Sequence, residues 1–163
     1  MMSNGWVWKS AIAGLAGSVV HLAFMYAKLR LGILPSFQPY PAFQATLSQW
    51  TGTNVPAIVP WLLSFLNGMT ILGFLFAGLK RLLPGQTGAS KGLAFGLLGW
   101  LFMGLILFPV IGLGPFAIGA DLGIAPAMLS LGMVLTYSVV LGTVYVALDP
   151  QTVECSGRAS RSR

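Results

Sequence analysis

The chain has 163 residues, of which 56% are hydrophobic and only 7% charged, against roughly 25% charged in an ordinary soluble domain. A soluble fold of this size must cover itself with polar groups, so the composition excludes one. A bilayer instead solvates apolar side chains and demands that every backbone N–H and C=O pair internally, which points to helices that span it. Nine Lys and Arg against three Asp and Glu give a formal charge of +6; the cations flank apolar runs, as membrane anchors do, and nucleic acid is not an expected partner.

The first apolar run covers about residues 10–31. It follows Lys9, is too long for a signal-peptide core, lacks a small-x-small cleavage pattern and runs into Lys28 and Arg30, so it is expected to stay in place as a span. It carries the single histidine of the chain. On a helix His21 shares a face with Gly14, Gly17, Ser18, Met25 and Lys28. Small residues let helices approach where lipid offers no hydrophobic drive, so this face is expected to look into a bundle, with His21 near mid-depth.

The connection that follows, residues 35–59, has no charge and several prolines. Its stretch PAFQATLSQW sets Phe43, Leu47 and Trp50 at i, i+4 and i+7, which suits a short helix lying in the interface with its aromatic face in the acyl boundary. A partly ordered loop over the bundle mouth is the alternative. A second span is expected at about 60–82, with Ser64, Asn67 and Gly68 on one stripe.

The third span, about 91–108, continues a run of Gly88, Gly92 and Gly96 at spacings of four, with Gly99 beyond. Such a seam suits close packing within the bundle or between subunits. Pro109 is expected to end or kink this helix. A Gly- and Pro-rich connection carrying Asp121 leads to the fourth span, about 126–148, with Thr136, Tyr137 and Ser138 near its centre. Each segment is near the roughly 20 residues needed to cross about 30 Å of hydrocarbon. A hydrogen bond from His21 to Asn67, Ser64 or Tyr137 is expected to contribute about 0.6–2 kcal/mol.

Pro60–Pro84 aligns without a gap on Pro126–Pro150, matching Leu63 with Leu129, Ser64 with Ser130, Thr70 with Thr136, Leu75 with Leu141 and Leu82 with Leu148. Two parallel two-helix hairpin repeats are one reading; the shared composition of apolar segments is the other. The expected architecture is an all-α, four-transmembrane-helix bundle with a short interfacial helix, a single integral membrane domain over residues 1–149 and a polar tail over 150–163. Placing both termini in the cytoplasm puts Lys9, Lys80, Arg81, Lys91, Arg158, Arg161 and Arg163 on the positive side. Lys28 and Arg30 remain outside and are expected to snorkel to the headgroups. Trp6, Trp8, Trp50, Trp61 and Trp100 are expected mostly near the interfaces. The tail, polar and basic, is expected to be disordered and drawn to anionic headgroups, and Cys155, alone, cannot close an intrachain disulfide.

No Gly-x-Ser-x-Gly, His-Glu-x-x-His or phosphate-loop pattern occurs, and the only acids are Asp121, Asp149 and Glu154, the first placed opposite the other two. Neither catalysis nor a metal or cofactor is therefore expected. His21 reads either as a mark of an ion or ligand path or as a neutral imidazole holding helices together; with no acid in any span to relay protons, the second is preferred. Haem ligation would need a further axial donor, from Met25 or another subunit.

The stretches GLAGSVV and GILP of the first span and its end, PWLLSF opening the second, KGLAFGLLGWLFMGLILFPVIGLGPF at the third and YSVVLGTVY in the fourth together cover about Gly14 to Tyr145. On them the chain resembles a family of small bacterial four-span membrane proteins classified only as a domain of unknown function. The resemblance implies the four-span fold and supplies no activity. The family pattern has histidines in the second and fourth spans, at the positions of Ser64 and Val134; this chain carries neither, so metal, haem or proton roles attached to those histidines do not carry over. The expected function is a non-enzymatic accessory or scaffold subunit of the bacterial inner membrane, whose partners are the lipid bilayer and other membrane subunits or itself. A carrier or pore for a small apolar or neutral solute, lined by His21, Asn67 and Tyr137, is the second reading, and a cofactor-binding redox subunit the third.

Overall fold

The computed structural model describes residues 5–149, so the tail from 150 onward, with Glu154 and Cys155, lies outside the described residues. Four helices are long and apolar enough to cross a membrane: α1 (Trp6–Arg30), α3 (Ile58–Leu79), α4 (Gly88–Val110) and α5 (Ala125–Leu148). A fifth, α2 (Pro39–Thr51), lies in the first long connection. There is no strand among the described residues. Four crossings bring Trp6 and Leu148 to one side, called here the termini face; the other side is the far face.

Local chemistry sets the helix limits. α1 starts earlier than the apolar run because Lys9 does not interrupt it: its Nζ reaches Asp149 Oδ1 at 2.9 Å. α4 starts at Gly88 because Thr87 caps it. Ser90 N–H donates to Thr87 Oγ1 at 3.1 Å and Thr87 N–H to Ser90 Oγ at 3.1 Å, so two otherwise orphaned donors are satisfied. Pro109 stands at the end of α4, which stops one residue later, at Val110. Lacking an N–H and crowding the carbonyl one turn back, it follows a widened π turn at Met103–Leu107, after which the helix runs on to Val110. α3 contains a second π turn, Gly68–Leu72.

The spans pack in the order α3, α1, α5, α4. α1 and α5 are central, with 33% of their apolar windows buried, against 22% for α3 and α4 at the edges. Each sequence hairpin thus packs on itself, and the α1–α5 contact joins the two. At repeat-matched positions Thr70 Oγ1 donates to Leu66 O at 2.6 Å and Thr136 Oγ1 to Gly132 O at 2.7 Å, the same bond one turn back; the π turn of α3 has no counterpart in α5.

Two aromatic cores close the two ends. Towards the termini face, Phe76 is fully buried and meets Phe95 and Tyr145 edge-on, at centroid distances of 5.4 and 5.7 Å. At the far face Phe37, Phe108, Ile111 and Ala117 form the second core, with Phe37 and Phe108 edge-on at 6.0 Å. α2 contributes Ala42 and Phe43 to this cap while Trp50 at its other end stays exposed, so its apolar face divides between protein and surroundings. Gln44 Nε2 donates to Val55 O at 2.7 Å and Val55 N–H to Ser48 Oγ at 3.1 Å, tying the return loop to the helix.

Lys28 departs from the sequence expectation. It is 3% exposed, and its Nζ donates to Phe37 O at 2.6 Å instead of reaching outward. The loop after α1 folds back and presents that carbonyl, an acceptor nearer than the headgroups. Arg30 does stay exposed, its guanidinium 5.1 Å from the Tyr26 ring centroid and its Nε 2.8 Å from Tyr26 Oη.

Candidate functional site

Two clusters of polar groups lie where α1 meets α3. In the first, His21 Nε2 lies 3.3 Å from Tyr40 Oη, and Tyr40 Oη lies 3.1 Å from Ser64 Oγ. The Tyr40 ring stacks on Trp61, with centroids 4.1 Å apart and planes at 21°. One residue from each of α1, α2 and α3 is thereby linked. Tyr40 has one hydroxyl proton, so it donates to one neighbour and accepts from the other, and the chain can be polarised either way. Burial pushes the Tyr40 phenol above its ordinary pKa, against the opposing hydrogen bond with Ser64, so at neutral pH it remains the protonated partner.

In the second cluster, deeper in α3, Tyr137 Oη donates to Gly68 O at 2.6 Å. Gly68 opens the π turn, where the i→i−4 ladder is interrupted, so the phenol supplies a donor to a carbonyl at the break. The tyrosine fits because α1 recedes there: a Cβ on Gly17 would stand 2.8 Å from its ring. Gly14 brings the α1 backbone against Met69 O and Gly68 O of the same turn. Ser18 Oγ is buried beside Gly68 with no hydrogen-bond partner.

The expected bond of His21 to Asn67, Ser64 or Tyr137 is therefore replaced by a relay through Tyr40, which reaches Ser64; Tyr137 pairs with the α3 backbone instead. Asn67 is exposed, on the outer side of α3. Helical spacing set Ser64, Asn67 and Gly68 within one broad stripe, and the inward half of that stripe holds Ser64 and Gly68 only. Tyr40 was not foreseen because its depth depends on how the α2 connection folds back. Its place at the start of a helix following Pro39, with an aromatic near the opening of α3, is the signal that would have found it.

Elsewhere in the bundle, Gly92 and Gly96 of α4 lie against Ser138 of α5, Gly92 facing its backbone carbonyl and Gly96 its side chain. Gly99 faces open space. Trp100 Nε1 is shared between Ala127 O at 3.2 Å and Ser130 Oγ at 3.1 Å, an inward role for an indole expected at an interface. Its ring also walls an apolar cleft of about 430 Å³, together with Phe116, Ile118, Gly123, Ile124 and Ala127. None of the mid-depth polar groups lines that cleft.

The charges gather at the termini face. Asp149 accepts from Lys9 at 2.9 Å and from Lys80 at 2.6 Å, and Lys80 also donates to Tyr145 Oη at 3.3 Å. The hydrogen bond from Lys80, then that from Lys9, holds the Asp149 carboxyl below the usual carboxylate range. For Lys80 burial disfavours the charge, but Asp149 and Tyr145 outweigh it and hold the ammonium above its ordinary pKa. This carboxylate ties α1, the α3 end and the α5 end together.

Chemically these arrangements hold helices in register. Among the described residues no three His, Cys, Asp or Glu side chains come together as metal ligands, and the side-chain group hydrogen-bonded to His21 is the Tyr40 hydroxyl. No curated protein and no solved structure matches the chain. The four membrane-length apolar helices mark a multi-span membrane protein, and, with residues 5–154 matching the Family of unknown function (DUF6789), the chain belongs to that family.

Proposed function

We propose that this protein is a non-enzymatic subunit of the inner membrane that acts by contact with other membrane segments, as an accessory or scaffold subunit, with both termini in the cytoplasm. The observation that carries the reading is the fate of the polar groups. His21, Tyr40, Ser64 and Tyr137 are taken up in helix–helix hydrogen bonds, while the carboxamide of Asn67 faces outward. A carrier would need the reverse, with such groups lining an internal path. The orientation is supported by Lys9, Lys80, Arg81 and Lys91 near the termini face, against Arg30 and the inward-turned Lys28 at the other.

The test is purification of the tagged protein in nanodiscs, wild type beside His21→Ala, with co-purifying proteins, lipids and visible absorbance recorded. The expected outcome is a colourless preparation containing protein partners or multiple copies in fixed ratio, with His21→Ala keeping them at a lower unfolding temperature. A bound solute or pigment that His21→Ala lacks overturns the reading and favours the carrier or the redox subunit. Reporter fusions at Leu31 and at Gln86 check the orientation: only the second is expected to report cytoplasm.

A further inference from the structure

Resting on that reading, we infer that the outer face of α3 is the contact between two copies of this chain, joined across a two-fold axis by Asn67. The face runs through Leu63, Asn67, Ile71, Leu75 and Gly78, all exposed. Steps of four would drift around an α-helix, but the π turn at Gly68–Leu72 takes more residues per revolution and keeps the stripe on one side. Asn67 lies nine residues into the span from Ile58, about 14 Å at 1.5 Å per residue, too deep for its short side chain to reach the headgroups. No side-chain partner holds it among the described residues, whereas Thr70 beside it is satisfied by Leu66 O. A primary amide left in hydrocarbon is costly.

The occupant follows from chemistry and topology. A carboxamide offers both donor and acceptor, so its best complement is another carboxamide. All copies of a chain insert with one orientation, so two α3 helices that meet face to face do so in parallel, and each residue of the stripe meets its own counterpart. Asn67 then pairs reciprocally with the Asn67 of the second copy. Further along the stripe Gly78, with open space where a Cβ would be, permits close approach of the backbones. As an edge helix of the bundle, α3 has this face free.

Oxidative cross-linking in native membranes tests this, using Ile71→Cys or Gly78→Cys in a Cys155→Ser background so that Asn67 itself is retained. Both are expected to give cross-linked dimer, while Leu98→Cys on the exposed side of α4 gives none. Adding Asn67→Leu is expected to weaken the dimer roughly tenfold, the worth of one or two interhelical hydrogen bonds, and Asn67→Gln to retain it. An unchanged unfolding temperature of the Asn67→Leu monomer shows that the loss is not misfolding. Single-copy photobleaching steps in wild-type nanodiscs at all densities, or a dimer indifferent to Asn67→Leu, overturns the inference, leaving the scaffold reading to be decided by partner co-purification. Conversely, a solute lost with His21→Ala beside an intact Asn67-dependent dimer overturns the scaffold reading and leaves the pairing in place.

Discussion

Single side chains carry the polar energetics of this bundle, and at the termini face Asp149 sets its response to acid. Its folded pKa is depressed by Lys80 and Lys9, so its contribution is complete above the unfolded carboxylate pKa of about 3.9 and is lost as pH falls through that value and then through the folded one. Lys80, raised in the fold, contributes fully below the unfolded lysine pKa of about 10.4 and loses its share only as pH climbs through the higher folded value. The clamp is thus flat across neutral pH and fails first in acid. Asp149→Asn is expected to cost about 1.5–3 kcal/mol at pH 7, typical of hydrogen bonds to a charged group, and to shrink the difference from wild type as pH approaches 3. Thermal unfolding in detergent at the two pH values checks this; a difference that is the same at both would contradict it.

At the scale of the helix, the α4 seam shows what glycine spacing can and cannot say. Gly88, Gly92, Gly96 and Gly99 read alike in the sequence, yet a Cβ on Gly92 would run into the Ser138 carbonyl and one on Gly99 would meet nothing. Gly92→Ala must therefore push two backbones apart, an overpacking cost of about 1–3 kcal/mol, while Gly99→Ala gains up to about 1 kcal/mol from helix propensity. Unfolding temperatures of the two variants are expected to move in opposite directions, and equal losses would mean that α4 is packed on both sides. The four spans were legible because a bilayer imposes length and apolarity on each segment independently of its neighbours. Facing was less so: spacing places a residue within a broad sector of the helix, enough to turn Gly14 and Gly17 inward and too coarse to separate Asn67 from Gly68. Lys28 and Tyr40 depended on the chain between α1 and α3 folding back over the far face, and the π turn of α3 on the backbone contact with Gly14. Those are tertiary events that the spacing of residues within a span does not encode.

The whole molecule is two hairpins held together by a small number of identifiable contacts. Across the boundary run Tyr137 to Gly68, Lys9 and Lys80 to Asp149, and Phe76 to Phe95 and Tyr145; at the far face Phe37 meets Phe108. The connection between the hairpins, Lys80 to Thr87, is short; beside its local bonds it supplies Lys80 to the clamp and Leu83 to the termini-face core, and both stay with the first hairpin if the chain is cut after Gly85. Individually inserted hairpins should then find each other, since spans that are stable alone associate by packing and hydrogen bonding. Residues 1–85 and 86–163 expressed as separate chains are expected to co-purify through a tag on either one, and the second fragment keeps the Thr87–Ser90 cap that starts α4. Tyr137→Phe in the second fragment removes one interhairpin hydrogen bond worth about 1 kcal/mol in a membrane, so the recovered pair should fall about fivefold, and adding Asp149→Asn should lower it again. Fragments that insert yet never associate would locate the missing energy in the Lys80–Thr87 connection. The α1–α5 seam would then be a consequence of tethering rather than its equal in holding the fold.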